Sequence, residues 1–191
     1  TYHTYSGAHL RPLCSAPDTA MDPHDLAAYR TVGARGTART GYPCMSVFEG
    51  FRYRDDDSVS GGFDDWAYQH RGILAYTTEL WSIGAHAGIQ IDDPLQFYFK
   101  GGRTPEQTLQ ILEWTLEHVD GGFTPWRAFD HPDLGPVEIG GWDRIGLWQN
   151  PPLRFLADVC HRHPRVRSQG PPPHAYQRCS HAHVPCPGHA C

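Results

Sequence analysis

From Ile73 to Trp81 the chain reads Ile-Leu-Ala-Tyr-Thr-Thr-Glu-Leu-Trp. An unbroken apolar, β-branched and aromatic run predicts a strand buried on both faces, as in a parallel or mixed sheet. Before it, residues 1–12 read as the end of a strand entering a loop. Asp22-Pro23 predicts a helix start, with an Asp cap and Pro at the first helical position, and the helix should run to about Gly33. Tyr42 to Tyr53 alternates apolar and polar residues and predicts a second strand. Gly61-Gly62 breaks the chain. Asp64-Asp65 then reads as the cap of a short helix, Trp66 to Arg71, ended by Gly72.

After Trp81, residues 82–103 read as a loop. Thr104-Pro105-Glu106-Gln107 is a capping box with Pro at the first helical position. The helix behind it carries Leu109, Leu112, Leu116 and Val119 at helical spacing and stops at Gly121-Gly122. Val137-Glu138-Ile139 predicts a short strand, and Asn150-Pro151 starts a helix to about His161. Strands alternating with helices predict an α/β layered domain.

Composition adds boundaries and exclusions. The chain has 191 residues, enough for one domain and a tail. A net charge of −5 argues against nucleic acid as the main partner, because phosphate binding needs a basic surface. No apolar run approaches the roughly 20 residues of a membrane helix. Four of the six cysteines lie between Cys160 and Cys191. Cys14 and Cys44 are left as either one disulfide or two buried thiols, so no redox compartment is read. From about residue 157 the chain becomes rich in Pro, His, Cys and Arg without periodicity. That tail reads as disordered or as out-of-frame translation of a GC-rich gene, since its Cys/His spacings fit no zinc module.

Two polar residues stand out. Glu79 sits inside an apolar strand, where an ionised carboxylate is costly unless paired or at the strand's carboxyl end. There, partial desolvation would raise its pKa and make it a candidate base. His3 by itself says little. Their context says more: His3-Thr4-Tyr5-Ser6, then Gly61-Gly62-Phe63-Asp64-Asp65-Trp66-Ala67-Tyr68, then Thr77-Thr78-Glu79-Leu80, with 76 positions between His3 and Glu79. In order and spacing this resembles the second half of the carboxypeptidase A-like zinc carboxypeptidases, the funnelins, over residues 1 to about 120. In that family an H-[ST]-Y-S segment holds the third zinc ligand, and the Glu of a T-x-E-L strand is the general base.

The resemblance implies a mixed-sheet, three-layer α/β domain over residues 1–122, truncated at its N-terminus. An extension would follow over 123–156 and the tail over 157–191. It implies His3 as a ligand of one Zn²⁺ ion, Glu79 as base, and a peptide or protein C-terminus as substrate. Tyr5 would line the cleft. Tyr53 is a candidate for the family's mobile Tyr, although ungapped alignment puts Asp57 there. Asp64 would floor the side-chain pocket and favour a C-terminal Lys or Arg, unless it is only a helix cap. One departure is large: no His has Glu three residues later, so the family's H-x-x-E zinc pair is absent. The expected protein is therefore a metallocarboxypeptidase fragment with an incomplete ligand set, inactive alone. The alternative is an inactive relative that binds peptide C-termini or a partner.

Overall fold

The computed structural model describes residues 1–162 apart from 55, 57 and 58. Its elements are β1 (Tyr2–Thr4), β2 (Ala8–Arg11), a 3-10 turn (Asp18–Ala20), α1 (Pro23–Thr40), β3 (Cys44–Ser46), α2 (Val47–Gly50) and α3 (Phe63–Asp65). α3 runs on into a wider π turn, Trp66–His70. Then come β4 (Thr77–Leu80), α4 (Ile83–His86), α5 (Pro94–Phe99), α6 (Pro105–His118), β5 (Phe123–His131) and β6 (Gly135–Trp142). A second π turn, Arg144–Gln149, leads to α7 (Leu153–Arg162). The protein is thus mixed α/β. No helix among the described residues is long and apolar enough to cross a membrane.

The main sheet has strand order β1-β4-β2-β3. β1 runs parallel to β4, β4 antiparallel to β2, and β2 parallel to β3. The sheet is therefore mixed, with the Glu79 strand inside and β1 at an edge. β5 and β6 form a separate antiparallel ribbon.

Several predicted boundaries move, each for a physical reason. Asp22 does cap α1, accepting from the His24 and Asp25 amides. The helix continues past Gly33 to Thr40 and ends at Gly41, whose φ of 78° and N–H to Thr37 O close it. Gly33 is a packing residue: a Cβ there would collide with Cys44 Sγ. The strand expected over Tyr42–Tyr53 shrinks to β3, because Ser46 turns the chain into α2 and accepts the Glu49 amide at 2.9 Å. The strand expected from Ile73 is regular only from Thr77, since β1 and β2 reach no further back along it. Ile73 and Leu74 are exposed. Residues 82–103 hold two short helices, α4 and α5, capped by Ser82 and Asp93.

The Thr104–Gln107 capping box forms in both directions, at 3.2 and 2.9 Å. The buried face of α6 is not the predicted leucine stripe, however. Leu109 and Leu116 are 54% and 64% exposed, while Ile111 and Thr115 are fully buried. Thr115 tolerates burial because its hydroxyl donates to Ile111 O at 2.7 Å, inside the helix.

The largest core joins Trp81, Ile83, Phe97 and Ile111 to Leu147, Trp148 and Val159. Residues on both sides of position 122 therefore share one core. Trp81 Nε1 donates to Leu147 O at 2.6 Å and fixes that junction. α7 spans position 157 and reaches Arg162. The tail from 163 on lies outside the described residues. Cys14 and Cys44 are free thiols.

Candidate active site at the β1–β4 strand pair

The parallel register pairs Tyr2 with Thr78, His3 with Glu79 and Thr4 with Leu80. Side chains alternate across a strand, and residues paired in register share a face. His3 and Glu79 thus meet on one face. On the other face His9 takes Thr78, its Nδ1 lying 3.0 Å from Thr78 Oγ1 and its Nε2 2.8 Å from Thr40 Oγ1. Beside Glu79 on β2 stands Ala8, small enough to leave the carboxylate room.

His3 Nδ1 lies 3.1 Å from Glu79 Oε1 and 3.2 Å from Oε2. The two partners differ in exposure: the His3 side chain is 71% exposed and that of Glu79 only 9%. Burial pushes the Glu79 carboxyl above its ordinary pKa, and the neighbouring His3 partly offsets this. With Nδ1–H donated to Glu79, the Nε2 lone pair of His3 faces away from the carboxylate. A buried carboxylate of raised pKa, next to an open imidazole, can take a proton from water and pass it on.

An aromatic wall starts just past the end of β1, at Tyr5. The Tyr5 ring packs on Phe99 and Tyr98 at 5.3 and 5.4 Å. Tyr53 packs on Phe99 at 5.4 Å. The Tyr53 hydroxyl titrates above its ordinary range, first through burial and then through the charges of Glu79 and Tyr5. Tyr5 and Tyr53 thus share Phe99 as a packing partner. Asp57, the other position considered for the mobile Tyr, lies outside the described residues.

Asp64 belongs to a different group. It is buried with Cys14, whose thiol lies 3.6 Å from Asp64 Oδ1, and Cys14 N–H donates to Asp65 at 2.9 Å. As a helix cap Asp64 is corrected: Gly62 holds the cap position, and the start of α3 makes no side-chain cap hydrogen bond. Asp64 Oδ2 has no hydrogen-bond partner among the described residues. Burial pushes its carboxyl up. The His86 ring packs on Trp81 at a tilt of 35°, centroids 4.4 Å apart, and burial lowers its pKa.

Sequence reasoning missed the wall residues Tyr98 and Phe99. The signal was the run Phe97-Tyr98-Phe99, inside a stretch read as loop. It also missed Cys14 as the neighbour of Asp64, which no local pattern reveals.

A catalytic zinc takes three protein ligands. Among the described residues no group of three or more His, Cys, Asp and Glu side chains is placed to hold a metal ion. The donors of this site, His3 and Glu79, fall short of that number, so these residues alone do not fit a catalytic zinc. No family model matches the sequence, and no curated protein matches it.

Proposed function

We propose that this chain is part of a zinc metallocarboxypeptidase, with its mixed sheet belonging to a three-layer carboxypeptidase-like domain. In this reading Glu79 is the general base and His3 one metal ligand. The observation that supports it most is the His3–Glu79 contact across paired parallel strands, with Glu79 buried and His3 open. Glu79 would take the proton of the attacking water and hand it to the leaving amine. The substrate would be the C-terminal residue of a peptide or protein, with Tyr5 and Tyr53 against it. Asp64 would select Lys or Arg, because a cationic side chain supplies the partner its Oδ2 lacks. The missing metal ligands must come from another polypeptide segment, and the chain alone should bind zinc weakly and release no amino acids.

The test is complementation. A segment carrying the H-x-x-E zinc pair, joined ahead of Thr1, should give release of C-terminal residues. Glu79→Gln should then slow release by about a hundredfold or more. An unchanged rate would remove Glu79 from the mechanism.

The two-donor site also favours a second reading, in which the chain binds peptide C-termini without hydrolysis. The complemented protein would then bind a free C-terminal peptide, reject its amide, and leave both intact.

A further inference from the structure

β1, Tyr2–Thr4, is an end strand of the main sheet. It carries none of the usual devices that keep strand edges apart, having no Pro, Lys or bulge. His3 stands at its middle with 71% of its side chain exposed.

Three features of His3 point outside its own chain. The first is orientation. Nδ1 lies 3.1 Å from Glu79 Oε1, so Nε2 faces away from the carboxylate and from β4. An imidazole whose Nδ1–H is held by a carboxylate, with Nε2 open, has the form in which histidine binds metal ions. Yet no group of three or more potential ligands surrounds it among the described residues. The second is backbone phase. Thr78 N–H donates to Thr1 O, so the N–H and C=O of His3 face β4. An antiparallel meeting of two β1 edges, about a two-fold axis at His3, then makes His3 and its copy a non-hydrogen-bonded pair. That is the closer kind, with Cα atoms about 4.5 Å apart and side chains on one face. The third is charge. A divalent ion between the rings brings two positive charges, and two Glu79 carboxylates, one behind each ring, bring two negative ones. Without an ion the chains repel, each having a net charge of −5.

We propose that two copies of this chain pair through β1 and hold one zinc-class divalent ion between their two His3 imidazoles. Water completes the coordination. Glu79 is a positioning residue here: it holds Nδ1–H and leaves Nε2 to the metal. The site is isologous, and a single chain has only half of it. It shares His3 with the metallocarboxypeptidase reading but needs neither an upstream segment nor hydrolysis. Dimer formation and release of C-terminal residues therefore fail in separate assays.

Sedimentation velocity of the whole chain, in EDTA and then with increasing Zn²⁺, tests this. Zinc should convert monomer to dimer, and EDTA should reverse the change. The tail beyond residue 162 holds further Cys and His, so the reference is His3→Ala rather than total zinc uptake. His3→Ala should stay monomeric in zinc while circular dichroism shows it folded. Wild type should take up one ion more than this variant for every two chains. Glu79→Gln should still dimerise but need about 10–100-fold more zinc, a midpoint that a merely structural role would leave in place. A wild-type chain that stays monomeric at saturating zinc overturns the proposal. A zinc-linked dimer that survives His3→Ala overturns it too, as does a dimer equally abundant in EDTA. An unchanged zinc midpoint in Glu79→Gln overturns the part given to Glu79.

Discussion

His3 Nδ1 stands 3.1 Å from Glu79 Oε1 across neighbouring parallel strands, and only the histidine is open to solvent. The hidden partner is the one whose charge costs stability. Burial raises the folded pKa of Glu79 above its unfolded value near 4.3. The stability linked to a raised pKa is present below the unfolded value and lost as pH rises through the folded one. Glu79→Gln should therefore raise the melting temperature at neutral pH, with the gain fading below about pH 4. Thermal melts of both proteins across that range check this. A gain that persists in acid would place its origin elsewhere.

The second prediction concerns α6. Ile111 is fully buried and Leu116 is exposed. Ile111→Ala should cost about 2–5 kcal/mol and Leu116→Ala within about 0.5 kcal/mol. Urea denaturation distinguishes them. The leucine stripe of the sequence would demand the reverse order.

Gly33 supplies the third. In an exposed helix interior Gly→Ala gains about 1 kcal/mol. Here the added methyl meets Cys44 Sγ, so Gly33→Ala should instead destabilise by about 1–3 kcal/mol. Cys44→Ala removes the obstructing sulfur. The double mutant should recover most of the loss, and a double-mutant cycle measures the coupling.

Cysteine reactivity is the fourth. Cys14 is buried beside Asp64 and Asp65, and both burial and those carboxylates push its thiol pKa up. Cys160 is exposed on α7. Under native conditions iodoacetamide should label Cys160 at least about tenfold faster than Cys14, read by peptide mass spectrometry. In denaturant the difference should vanish.

The sequence by itself determined what depends on neighbours a few positions apart. Asp22 before Pro23 starts α1, and Thr104 with Gln107 starts α6, because a cap is a bond between residues two or three apart. The α/β character followed from the same local signals. The identity of the candidate pair came from a motif resemblance, not from any local rule, since 76 positions separate His3 and Glu79.

Tertiary structure alone decided the rest. Thr115 is a polar residue on a leucine-rich helix, and it is buried because α6 packs against α4 and β5 and its hydroxyl is satisfied internally. Gly33 reads as a stop and acts as a contact, because β3 passes over it. β4 begins at Thr77 because a strand is regular only where partners pair with it. Ser6 was one letter of a motif; its burial without a partner depends on how β1, β4 and α1 come together. Such outcomes depend on which distant surfaces meet, and periodicity along one segment carries no record of its partner.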